Sequence, residues 1–184
     1  AFEGANISCG MGAVEGAISG FTKSGELCTI GNAKPVGICG SGIIDVVSYL
    51  LDNQLMDDTG LLHDSFIITR DTPNGKIEIS QEDIREVQLA KSAILSGIKV
   101  LLKKAGLTYG DIHALYLAGG FGNYMNIESA VNIGLLPGEI KDKTVAIGNS
   151  AGAGAVQALK SVDFNKRITS VLSIIFLPCS NSLV

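Results

Sequence analysis

Three glycine-dense turns hold most of the chemistry that this sequence can do. In LYLAGGFGN, residues 115–123, an apolar run of strand character ends in Gly119, Gly120, Phe121 and Gly122. Consecutive glycines strip Cβ atoms from a turn, so a ligand can lie against bare backbone while N–H groups and a helix terminus offer dipoles to an anion. Such geometry suits a nucleotide. It equally suits a helix packed so closely on its strand that only glycine fits.

GICGSGIID, residues 37–45, repeats the logic with Gly37, Gly40 and Gly42, and adds the Ser41 hydroxyl as a donor or helix cap. Asp45 is the acid nearest to any glycine turn. It is expected either to contact a ribose hydroxyl or hydrated metal ion, or to serve as a first-turn acid favoured by the helix dipole. No GxxxxGK[ST] occurs, which excludes a P-loop. The third turn, VAIGNSAGAGA at 145–155, contains GxxxGxG and raises a short-chain-type NAD(P) oxidoreductase as a rival. Against that rival, the βαβ units that complete a dinucleotide fold have no room after it. None of Tyr49, Tyr109, Tyr116 or Tyr124 is followed four places later by Lys, the proton-transfer pairing of such enzymes. Ala151, Gly152, Ala153, Gly154 and Ala155 read instead as a helix surface for close contact with another domain.

Cys9, Cys28, Cys39 and Cys179 form no CxxC pair, and only His63 and His113 could add nitrogen ligands. A zinc or iron–sulfur site needs ligands clustered at fixed spacing, so none is expected, and the cysteines read as reduced thiols of a cytoplasmic protein. Charged residues make up 17% of the 184, below the roughly 25% of an average soluble protein, and 23 residues are glycine. Much of the chain is therefore buried. A net charge of −4 without a basic run argues against nucleic acid, whose binding rests on neutralising phosphates. No apolar tract approaches the ~20 residues that span a bilayer. The chain opens at Ala1 without Met or a signal-peptide pattern, and the expectation is a portion of a longer gene product.

Three elements must position the turns, each a strand, a glycine turn and a helix. Short strands are expected at Ala17 to Thr22, Leu27 to Ile30 and Val36 to Ile38, and Ile43, Val46, Val47, Leu50 and Leu51 follow helical spacing. Residues 57–79 read as an inserted subdomain with a small hairpin. Ser80 then caps a helix whose stripe is Ile84, Val87, Ala90, Ile94, Ile98, Leu101, Leu102 and Ala105, closed by Gly106. After it come a strand at Ala114 to Ala118, a glycine loop, a helix capped by Asn126, a strand at TVAIG and a helix at NSAGAGAVQALKS. The alternation predicts an α/β fold with a mostly parallel sheet, which binds ligands at the carboxyl ends of its strands. The tail after residue 166 is expected to add an edge strand.

LYLAGGFG resembles the adenosine motif of the actin, Hsp70 and sugar-kinase ATPase superfamily, and AIGNSAGAGA resembles its second connecting helix. More specifically, AFEGANISCGMGAVEGAI, PVGICGSGIIDVVSYLL, AGGFGNYMNIESAVNIGLLP and GNSAGAGA resemble the C-terminal ATPase region of reductive activators of corrinoid proteins. The resemblance implies an actin-like (ribonuclease H-like) lobe, with core at 1–56 and 80–166, an insert at 57–79 and a tail at 167–184. It implies ATP, with Mg²⁺ beside it, held between two lobes. Gly119, Gly120, Phe121 and Gly122 would lie beside adenine and ribose, Gly37, Gly40, Ser41 and Gly42 would face the cleft, and Gly148, Gly152 and Gly154 would belong to the interlobe hinge helix. The implied activity is ATP-dependent return of a cobalt(II) corrinoid protein to cobalt(I), with the corrinoid protein as partner and homodimerisation left open. The family's four-cysteine iron–sulfur domain and two acidic-Gly-Thr phosphate hairpins have no match in this chain. By itself the chain would then contribute nucleotide and partner contacts without efficient hydrolysis. A non-catalytic, actin-like partner-binding module is the alternative.

Overall fold

The computed structural model describes residues 6–73 and 75–176. The chain divides into two compact units, residues 1–148 and 149–184. In the first, β1 (Ala17–Phe21) pairs antiparallel with β2 (Leu27–Thr29) and parallel with β3 (Gly37–Ile38), giving the order β2-β1-β3. From β3 the chain enters α1 (Gly40–Asp52) through Cys39, which holds the N-cap position in extended backbone. All of Gly40 to Ser48 is buried, together with Leu50. A helix apolar around so much of its circumference belongs at the centre of a domain.

The hairpin expected within 57–79 is present as β4 (Phe66–Thr72) and β5 (Gly75–Ile79), with Phe66 opposite Ile79. Leu62, Ile77 and Ile79 join Ile18, Ile43 and Leu50 in one core. The helix that follows, α2 (Gln81–Ala105), ends as its caps dictate. Ser80 and Asp83 form a reciprocal capping box, and Gly106 adopts the left-handed conformation at φ 66°. The expected stripe divides along its length: Ile84 and Val87 are buried, whereas Ile94 is 39% and Leu101 70% exposed.

β6 (Leu115–Ala118) pairs in parallel with β7 (Thr144–Gly148), Tyr116 facing Val145. Two short helices, α3 (Gly119–Tyr124) and α4 (Ile127–Asn132), make the crossover. The Asn126 side chain accepts from the N–H groups of Glu128 and Ser129, as a cap at that position should. The single, mostly parallel sheet expected from the alternation is not what forms among the described residues. β1 with β3 and β6 with β7 are parallel pairs in separate small sheets, and β1–β2 and β4–β5 are antiparallel.

The second unit contains α5 (Ser150–Lys160), whose Gly152 N–H donates to the Asn149 side chain at 2.8 Å, and α6 (Val162–Phe176). The edge strand expected after residue 166 is corrected by α6, which is helical through Phe176. Phe164, Ile168, Val171 and Ile175 recur at four, three and four residues, a helical rather than alternating period. Residues 177–184 of that expectation lie outside the described residues.

Candidate functional site: a side-chain-free turn at the end of β6

The expected glycine loop after β6 is tighter than a loop: Gly119 turns the chain at φ 91° and α3 begins at once. An L residue rarely adopts that backbone, so glycine is required there for conformation. A Cβ on Gly119 or Gly120 would meet no atom within 4 Å. Gly120 and the preceding Ala118 are exposed, and Gly119 is half-buried. The backbone of 118–120 thus faces open space. Gly122 does the opposite, for its Cβ would come within 2.9 Å of Leu117 Cβ and 3.0 Å of the Leu117 carbonyl oxygen. The glycines thus divide: Gly119 and Gly120 leave bare, open backbone, and Gly122 lets α3 pack onto β6. The backbone of Phe121 lies in α3 between them.

The second turn is a packing device. Gly37, Gly40, Ser41 and Gly42 are all buried. A Cβ on Gly42 would fall on the carbonyl oxygen of Ile18, and one on Gly37 would stand 2.9 Å from the carbonyl oxygen of Cys9. The Ser41 hydroxyl is a donor, as one of the two expectations had it, but to the Ser19 carbonyl at 2.8 Å, and the N-cap position falls to Cys39. Gly42 and Ser41 bring α1 hard against β1, and Gly37 lets residues 9–11 lie close against β3. In the third turn, Gly152 sits beside its Asn149 cap, while Gly154 has open space around it and Ala151, Ala153 and Ala155 are exposed.

Asp45 is not a first-turn acid. It lies in the second turn of α1, only 7% exposed, with Oδ2 accepting from the Phe21 N–H at 3.2 Å and Oδ1 buried without a partner. Burial pushes its carboxyl above the usual range, and hydrogen bonding from Ser129 and the Phe21 N–H offsets part of that rise. Asp45, Ser48 and Ser129 line one cavity of about 360 Å³. Sequence spacing signals only Asp45, because Ser129 arrives from α4 by tertiary packing.

Among the described residues, no three His, Cys, Asp or Glu side chains come together as metal ligands, so these residues do not fit an iron–sulfur cluster. The open backbone of Gly119 and Gly120 leaves room for a ligand to lie against it. Among the described residues, no helix is long and apolar enough to cross a membrane.

The family described as the C-terminal domain of RACo, the ASKHA domain, matches residues 1–177. The chain belongs to that family. It therefore has the actin-like ATPase fold of ASKHA domains. A solved structure, a reductive activator for corrinoid, iron–sulfur protein, superposes with a TM-score of 0.83 at 32% identity, covering 92% of this chain and 31% of the other. The corrinoid activation enzyme RamQ of Eubacterium limosum is 34% identical over 183 residues, 84% of this chain and 31% of RamQ. The [Co(II) methylated amine-specific corrinoid protein] reductase of Methanosarcina barkeri is 30% identical over 82% of this chain and 32% of its own. This ASKHA domain thus spans about a third of the length of the curated relatives that it matches.

Proposed function

We propose that this ASKHA domain is the nucleotide-binding C-terminal lobe of an ATP-dependent activator that returns a cobalt(II) corrinoid protein to cobalt(I). The observation that carries the reading is the exposed, side-chain-free backbone of Gly119 and Gly120 at the carboxyl end of a parallel strand, where α/β folds hold ligands. Gly119 and Gly120 would floor the adenine and ribose, with Phe121 at the edge, and Gly122 keeps that floor fixed by locking α3 to β6. The buried glycines and Ser41 of the second turn act one step back, holding α1 in place. ATP with Mg²⁺ supplies the binding and hydrolysis energy that makes an unfavourable electron transfer proceed. The chain's own part is to bind, orient and change its grip on the corrinoid protein as the lobes close.

The electron source, an iron–sulfur cluster, belongs to the part of a longer cytoplasmic parent outside these residues. The domain alone then binds nucleotide and partner without efficient turnover. The test is cobalt(I) formation by the parent protein from a cobalt(II) corrinoid protein and a reductant, followed by absorbance. Formation that depends on ATP is expected, and equal formation without ATP would overturn the coupling. A non-catalytic partner-binding module would show nucleotide-independent association with the corrinoid protein instead.

A further inference from the structure

The cavity between α1 and α4 lies apart from the residues of the proposed nucleotide turn, none of which lines it. Its volume of about 360 Å³ falls within the range of small-molecule sites. Three of the molecule's buried polar side chains meet at its floor: Asp45, Ser48 and Ser129, at 7%, 6% and 9% exposure. Buried polar groups cost free energy unless each finds a partner. Here the account does not close, because Asp45 Oδ1 is left without a donor. Phe21 and Tyr49 form one wall, their rings edge to face at 5.0 Å. Asn132 crosses the cavity, donating to the Ser48 hydroxyl at 2.8 Å and to Asp52 Oδ1 at 3.0 Å.

The charges around the mouth select the ligand class. Asp52 and Glu128, with Asp45 beneath them, would repel an anion, while Lys23 and Lys141 would repel an organic cation. Lys141 is in addition paired with Glu128 at 3.0 Å. No three metal-ligating side chains converge among the described residues, which leaves a metal ion without a coordination set. A neutral molecule rich in hydroxyl donors meets every demand. Two adjacent hydroxyls match a carboxylate's two acceptor oxygens, and the C–H face of a sugar packs against aromatic rings.

We infer that the cavity between α1 and α4 binds the vicinal diol of a polyhydroxylated small molecule, with Asp45 as its acceptor. The diol comes from a free sugar or from the ribose of a nucleoside. This proposal goes beyond the nucleotide turn of the ASKHA domain and stands without it.

The test is titration of the 184-residue chain with adenosine, with 2′-deoxyadenosine and with D-ribose, reading the amide shifts of Phe21 and Ser129 by NMR. Saturation by adenosine or D-ribose is expected, with 2′-deoxyadenosine at least tenfold weaker than adenosine. D-ribose alone assigns a free sugar, and adenosine alone assigns a nucleoside. Asp45→Asn, which removes a buried charge at constant shape and so keeps the fold, is expected to weaken binding about 10- to 100-fold, the range for a hydrogen bond to a charged group. Exposed Asp52→Asn gives a second variant with no folding risk, expected to weaken binding severalfold. Failure of both diols to saturate by about 10 mM, binding of 2′-deoxyadenosine equal to that of a saturating adenosine, or unchanged affinity in Asp45→Asn would each overturn the proposal. Because the shifts are read at Phe21 and Ser129, failure here leaves the Gly119–Gly120 floor to its own test.

Discussion

Asp83, in the first turn of α2, holds Ser8 from the start of the chain: its Oδ1 accepts from the Ser8 N–H at 2.8 Å and its Oδ2 from the Ser8 hydroxyl at 2.9 Å. The same carboxylate caps its own helix, accepting from the Ser80 N–H at 2.8 Å and the Ser80 hydroxyl at 2.9 Å. One buried side chain therefore closes a helix terminus and ties down a loop 75 residues away in sequence. Burial alone would raise its carboxyl, but the hydrogen bonds from Ser80 and Ser8 outweigh that and hold it below the usual carboxylate range.

Replacing Asp83 by Asn is expected to cost about 2–4 kcal/mol, because a charged acceptor is lost and buried donors are left unpaired. Ser8→Ala, which spares the helix cap, is expected to cost about half as much. The pH dependence has a definite sign. A carboxyl that titrates lower in the folded than in the unfolded state stabilises fully above the unfolded value, and that stability is lost as pH falls through the folded one. Urea unfolding of the wild type is expected to weaken below about pH 4 with a slope that Asp83→Asn reduces. Equal slopes would remove Asp83 from the account.

The glycines divide into those that leave space and those that consume it, and substitution separates them. Gly42→Ala would place a methyl group on the carbonyl oxygen of Ile18, backbone that cannot rotate away, and is expected to cost several kcal/mol or prevent folding. Gly120→Ala meets open space within a helix, so thermal stability is expected to be unchanged or to rise by up to about 1 kcal/mol. The same methyl group stands on the proposed nucleotide floor and is expected to weaken ATP at least tenfold. Thermal melts and ATP titration of the two variants check both halves.

Cys9 and Cys28 are expected to differ in reactivity. Burial, followed by the nearby charge of Asp83, pushes the Cys9 thiol up to about 11, and its Sγ lies 3.2 Å from the Glu78 carbonyl oxygen. Cys28 is exposed. At pH 7.5 only a thiolate reacts well with a maleimide, so peptide mapping should find Cys28 modified while Cys9 stays free until the chain unfolds. Modification of Cys9 at the rate of Cys28 would contradict the packing of Cys9 against β5.

Where local chemistry decides structure, the sequence was readable. Ser80, Asn126 and Gly106 announced helix ends, and the 3–4 spacing of Ile43, Val46, Val47 and Leu50 announced α1. What decides between a packing and a binding glycine is tertiary: GICGSG and AGGFG look alike along the chain, yet Gly42 has Ile18 against it and Gly120 has open space. Asp45 was visible as an acid near a glycine turn, but its partners Phe21 and Ser129 come from β1 and α4, and no local spacing reports them. The tail misled because Ile, Val and Phe favour strands individually, whereas their period in α6 is helical. The divided stripe of α2 has the same lesson, since periodicity gives the apolar face of a helix without saying how much of it finds a partner.

The central claim is that the backbone of Gly119 and Gly120 forms the floor of an adenine nucleotide site. Titration of the ¹⁵N-labelled chain with ATP, following those two amide resonances, tests it most directly. Saturable shifts at Gly119 and Gly120 with ATP, and none with NADPH, are predicted. Amides at 119 and 120 that stay fixed while ATP binds elsewhere, or that respond equally to NADPH, would contradict the account.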